Sequence, residues 1–155
     1  IRAAYHVGGQ RQAAFNAMLR TLLTVTYSLV ILLMVATIYL REHIVSLYTD
    51  SAEIISTASV LLVYCAIYQI ADATQAIMSG LLRGCHDTAI ITWSNITSYW
   101  LVGFPLACIL IRTDWIVPAM GPAGAWVSFI VALSLAAVIL TGRFLYTRKR
   151  VFSAH

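Results

Sequence analysis

The chain has 155 residues, 61% of them hydrophobic and 10% charged, with a formal charge of +4. That balance excludes an ordinary soluble domain, in which about a quarter of residues are charged. It also excludes nucleic acid as a partner, because no aromatic platform, finger spacing or helix-turn-helix pattern accompanies the basic residues, and it leaves the lipid bilayer as the expected surroundings.

Residues 1–16 carry Arg2, Arg11 and a Gly8-Gly9 break, and read as a cytoplasmic loop leading into a helix. The charged residues then divide the chain into long uncharged intervals at 21–40, 54–82 (broken only by Asp72), 88–111 and 115–142. A hydrocarbon core about 30 Å thick takes about 20 helical residues, and every amide inside it must be paired within the protein. Barrel strands would be about 10 residues long and alternate in polarity, which these continuous apolar runs do not. The expected fold is all-α: a polytopic membrane bundle of four helices, over about 17–40, 54–82, 88–111 and 117–142.

The first span ends in "REHIVSLYTDSAEI", an outward-facing connector with Glu42, Asp50 and Glu53. The second ends in "LRGCHDT", where Gly84 is expected to let the chain reverse, Asp87 to cap the third span and Arg83 to hold the cytoplasmic boundary. The third places Trp100, Gly103 and Pro105 together, and the proline predicts a bend. The fourth opens at "MGPAGAW", where Pro122 suits a first helical turn and Gly121, Ala123, Gly124 and Ala125 permit close approach of a neighbour. It is expected to end at Gly142-Arg143, with 143–155 an aromatic, basic tail that frays at the interface. Eight of the ten Lys and Arg residues fall on one side of this zigzag, which puts both ends in the cytoplasm. No cleavable signal peptide is seen, and the chain reads as a piece of something longer.

One residue stands against the apolar background. An aspartate at a helix centre costs about 2.5 to 3.5 kcal/mol of insertion, comparable with the roughly 3 to 6 kcal/mol returned by the span's eleven Leu, Ile and Val residues. At 100° per residue Tyr64, Tyr68, Asp72, Gln75 and Ser79 fall within an arc of about 80°, with Ile67, Ile70, Ala73 and Ile77 away from it. The helix can therefore turn one polar stripe toward protein or water. A carboxyl group so placed can hold a proton, Na⁺ or an organic cation in exchange, with the Tyr68 hydroxyl or ring face beside it. The competing structural reading is a neutral Asp72 hydrogen-bonded to a neighbouring helix.

Other candidates are weaker. His6, His43, His86 and His155 lack metal-ligand spacing, so no metal is expected beyond Na⁺ at Asp72, and no organic cofactor or catalytic residue is indicated. The adjacent Cys85, His86 and Asp87 cannot converge on one point as a catalytic trio. Cys65, Cys85 and Cys108 suit reduced packing residues. Asn95-Ile96-Thr97 is a glycosylation sequon only in form, since it lies inside the third span; Asn95 with Ser94 and Ser98 either lines the interior or packs there.

"YQIADATQAIMSGLLRGCHDT", followed by "SYWLVGFPL" and "MGPAGAWVSFIVALSLAAVIL", resembles the end of multidrug and toxic compound extrusion (MATE) transporters of the NorM-like bacterial branch. The resemblance implies that the chain is spans nine to twelve of a twelve-helix, two-lobed carrier, with spans one to eight as its missing partners. It implies exchange of Na⁺ or H⁺ for cationic, lipophilic drugs by alternating access in the bacterial inner membrane. It carries the family's coupling-cation role onto Asp72 and Tyr68, with a partner acid on the seventh span outside this chain, and matches the cytoplasmic turn in Gly80, Arg83, Gly84, Asp87 and Thr88. The fragment alone is not expected to transport. Two alternatives are a lipid-linked sugar flippase, whose cavity would be cationic where these spans offer no interior Arg or Lys, and a membrane scaffold or enzyme subunit.

Overall fold

A computed structural model describes residues 12–112 and 121–153. Of the loop expected over residues 1–16, residues 12–16 are instead helical, while 1–11, the start of the fourth span at 117 and the last two residues lie outside that set. Every described element is helical: α1 (Gln12–Ser46), α2 (Ala52–Gly84), α3 (Ala89–Arg112) and α4 (Pro122–Ser153). Each is long and apolar enough to cross a bilayer. At 1.5 Å per residue the 35 residues of α1 span about 52 Å, so its ends reach beyond a hydrocarbon core of about 30 Å.

The helices do not pack in chain order. α2 lies against both α1 and α4, and α4 lies between α2 and α3. α1 is the outer helix, with Val25, Leu29, Leu32 and Val35 all at least half exposed, as suits a face in contact with lipid tails. The dense core gathers where Phe15 and Leu19 meet Ile77, Met78, Leu81 and Leu82 of α2, Ile91 of α3, and Leu140 and Phe144 of α4. Ile77 therefore belongs to this core, while Ile67 and Ile70 stay exposed. The opposite end is looser. There an apolar cleft of about 490 Å³ opens between Val45, Ile54, Leu61, Cys65 and Trp126.

Small residues bring α3 and α4 together, as in many membrane bundles. A Cβ on Gly103 would sit 2.8 Å from the Cβ of Ala132, and one on Gly124 would sit 2.8 Å from the carbonyl oxygen of Leu110. Ala132 and Ala136 are wholly buried along the same seam. The irregularity expected at Pro105 takes a definite form. Residues Ile96–Gly103 wind as a π-helix between the α-helical segments Ala89–Asn95 and Phe104–Arg112. Proline has no N–H to give the carbonyl one turn back, and widening that turn is one way a helix absorbs the misfit.

α4 runs through Gly142 to Ser153, so the segment expected to fray is helical. Its anchors are side chains. Arg143 and Thr147 bond to Asp87, and an Arg148 Nη2 donates to Asn16 Oδ1 of α1 at 2.9 Å.

Candidate functional site

The polar stripe of α2 divides in the folded chain. Tyr64, Tyr68 and Gln75 are half-buried, Ser79 is buried, and Asp72 is exposed. The helical wheel accounts for this, since Asp72 is at one edge of the stripe and Gln75 lies about 60° away, nearer its middle. Turning Gln75 toward α3 leaves Asp72 on the open flank. Asp72 makes no hydrogen bond or ion pair with any described residue.

Gln75 joins α2 to α3. Its Nε2 donates to Asn95 Oδ1 at 3.0 Å, and Tyr99 Oη donates to its Oε1 at 2.9 Å. Both partners sit at the π-helical segment, Asn95 immediately before it and Tyr99 inside it. On the α1 side, Thr74 donates its one hydroxyl proton to the Ile70 carbonyl at 2.8 Å, so at the 2.7 Å contact with Tyr27 the tyrosine is the donor. Tyr68 meets Trp126 of α4 edge-on, with ring centroids 5.9 Å apart and planes at 84°, a favourable aromatic geometry.

Ser98 is 0% exposed and Ser79 only 8%, so both pack between helices rather than line an open wall. The hydroxyls of Ser94 and Ser98 have no hydrogen-bond partner among the described residues. Among those residues no group of three His, Cys, Asp or Glu side chains gathers to hold a metal ion.

The turn after α2 corrects two expectations. Gly84 does not make the reversal; it is the buried last residue of α2, and the left-handed residue is His86, at φ 59°. The Asp87 N–H reaches the Leu82 carbonyl and the His86 N–H the Arg83 carbonyl, closing the helix in the Schellman pattern, in which glycine is usual. Nor does Asp87 cap α3, whose flanking residue Thr88 makes no side-chain cap bond. Its Oδ2 instead accepts from Arg143 Nε at 2.6 Å and from Thr147 Oγ1 at 2.8 Å. The Arg143 hydrogen bond holds the Asp87 carboxyl below its ordinary value, against an upward push from partial burial, and burial raises the Cys85 thiol. Arg83 is exposed.

Trp126, Tyr27, Arg143 and Thr147 were not among the predicted site residues. The four-residue spacing of Arg143 and Thr147 on one face of a helix is the signal that points to a shared partner for the last two.

The model of the family MatE matches residues 1–109, more than two thirds of the chain. The chain belongs to the MatE family. The MATE fold holds over the described helices as well: the crystal structure of the eukaryotic MATE transporter AtDTX14 superposes with a TM-score of 0.80, covering 99% of this chain and 34% of that one at 20% identity. Among curated relatives, the multidrug resistance protein MdtK of Yersinia pestis (strain Pestoides F) and that of Yersinia pseudotuberculosis serotype O:1b (strain IP 31758) are each 46% identical over 116 residues. The match takes in 75% of this chain and 25% of theirs, so the chain spans about a quarter of the length of these relatives. MATE proteins are transporters rather than enzymes, and this chain is a multi-pass membrane segment of one.

Proposed function

We propose that the complete carrier is a secondary active multidrug efflux antiporter, exchanging Na⁺ or H⁺ for cationic lipophilic compounds by alternating access, with Asp72 in the coupling-cation site and Tyr68 beside it. The observation that carries this reading is the state of Asp72: an acid deep in an apolar span, exposed, and without a hydrogen bond or ion pair among the described residues while its stripe neighbours Gln75 and Tyr68 are engaged. An intramembrane acid of that kind is stabilised by a proton, a cation or a group outside these four helices. A structural acid would be expected to be sealed by a hydrogen bond from a neighbouring helix. The 46% identity to two MdtK multidrug resistance proteins supports the substrate class.

In this reading the four helices are the last four of twelve, in a bacterial inner membrane. Both ends of the chain are cytoplasmic, supported by the eight basic residues on that side. Transport requires the remaining spans, including a second acid on the seventh.

The test is drug susceptibility of an efflux-deficient bacterium expressing the full-length carrier with Asp72→Asn. Resistance should be lost at unchanged membrane abundance. Resistance equal to that of the unaltered carrier would show that this carboxylate takes no part in coupling.

A further inference from the structure

Where the α2–α3 turn meets the last turns of α4, a cleft of about 380 Å³ is lined by His86, Asp87, Arg143, Tyr146, Arg150 and Val151, among others. Its depth in the bilayer follows from helix length and charge. Pro122–Val151 of α4 is about 45 Å long at 1.5 Å per residue and outruns a hydrocarbon core of about 30 Å, and the basic residues Arg143, Arg148, Lys149 and Arg150 draw its final turns into the headgroup layer. Leu145 and Tyr146, 49% and 58% exposed, leave an apolar flank of these turns uncovered by the other three helices.

The charges of the cleft are unequal. Its one carboxylate, Asp87, is already satisfied by Arg143 Nε and Thr147. Arg143 keeps its remaining N–H donors, with its side chain 40% exposed and its guanidinium carbon 5.5 Å from the Tyr146 ring centre. Arg150 is exposed and pairs with no acid among the described residues. Two guanidinium groups therefore face one neutralised acid beside an apolar wall of Tyr146 and Val151. Guanidinium donors match the paired oxygens of a phosphate, and the apolar wall suits the glycerol and first methylenes of a lipid.

We propose that this cleft is a binding site for the phosphodiester of an anionic phospholipid, held by Arg150 and the free face of Arg143. It differs from general attraction of a basic tail to an anionic surface, which would weigh the neighbouring, exposed Lys149 and Arg150 alike. The site is independent of how Asp72 works.

The experiment uses the purified full-length carrier in detergent, titrated with dioleoyl phosphatidylglycerol or dioleoyl phosphatidylcholine. Retained lipid is counted by native mass spectrometry, and thermal stability is followed in parallel. Arg150→Gln should weaken phosphatidylglycerol retention by about tenfold and Lys149→Gln by less than about twofold, while phosphatidylcholine, whose phosphodiester charge is offset by its own quaternary ammonium, should be retained more weakly than phosphatidylglycerol by the unaltered carrier and change by less than about twofold in either variant. Equal losses in the two variants would reduce the site to surface electrostatics and overturn the proposal. Displacement of the lipid by millimolar inorganic phosphate would reassign the cleft to a soluble anion. A fall in the thermal midpoint of Arg150→Gln without lipid would instead mean that the cleft serves a protein contact.

Discussion

Replacing Gly124 with alanine tests how closely α3 and α4 approach. The new methyl would lie 2.8 Å from the Leu110 carbonyl oxygen, 2.9 Å from its carbonyl carbon and 3.0 Å from its Cβ, where ordinary contact begins near 3.4 Å. Two of those atoms are backbone, so no rotamer change relieves the clash, and α3 must move by at least about half an ångström against a packed seam. Overpacking of this kind costs about 1 to 3 kcal/mol, offset by up to about 1 kcal/mol because alanine favours a helix over glycine. Gly142 is the control. It is exposed in the same helix with nothing within 4 Å of its Cβ position, so Gly142→Ala should gain about 0.5 to 1 kcal/mol. Thermal unfolding of the full-length carrier in detergent, followed by loss of the monodisperse chromatographic peak, should place Gly124→Ala below the unaltered protein and Gly142→Ala at or above it. A Gly124→Ala carrier as stable as Gly142→Ala would refute the close approach of the two helices.

Two further substitutions concern the turn after α2. Because Arg143 holds the Asp87 carboxyl below its ordinary value of 3.8, the pair's contribution is complete at neutral pH and is lost as pH falls through the lowered value. Asp87→Asn should therefore melt earlier than the parent at pH 7, and the gap should narrow in melts run below pH 3.8; a gap independent of pH would mean that the charge is not the cause. His86→Gly, which relieves a left-handed backbone at φ 59°, should raise the midpoint by an amount corresponding to about 1 kcal/mol, measured in the same melts.

The four spans were legible because continuous apolar runs in lipid leave the backbone few alternatives to a helix. Pro105 and Gly103 likewise announced an irregular third helix, though not that the irregularity would be a π-helix over Ile96–Gly103. Asp72 stood out by its insertion cost alone. What the sequence did not carry is lateral order. Hydropathy says that a helix crosses the membrane but not which helix lies beside it, so the partnership of Tyr68 with Trp126 and of Gln75 with Asn95 and Tyr99 came only with the fold. Asp87 shows the same limit: its place before a helix suggests a cap, yet a guanidinium from a helix 56 residues later in the chain competes for the carboxylate and wins. That contact also accounts for the ordered helix beyond Gly142, where local composition alone suggested a loose tail.

The position of α4 between α2 and α3 bears on how the bundle is assembled. α3 has its main packing partner in the span that follows it, along the seam of Gly103, Ala132 and Gly124. During synthesis the third span is therefore made before the helix it packs against, and its small-residue seam stays open until residues 122–153 follow. A chain interrupted before Pro122 would leave Gly103 without the Ala132 methyl that closes over it, and Leu110 without the backbone of Gly124.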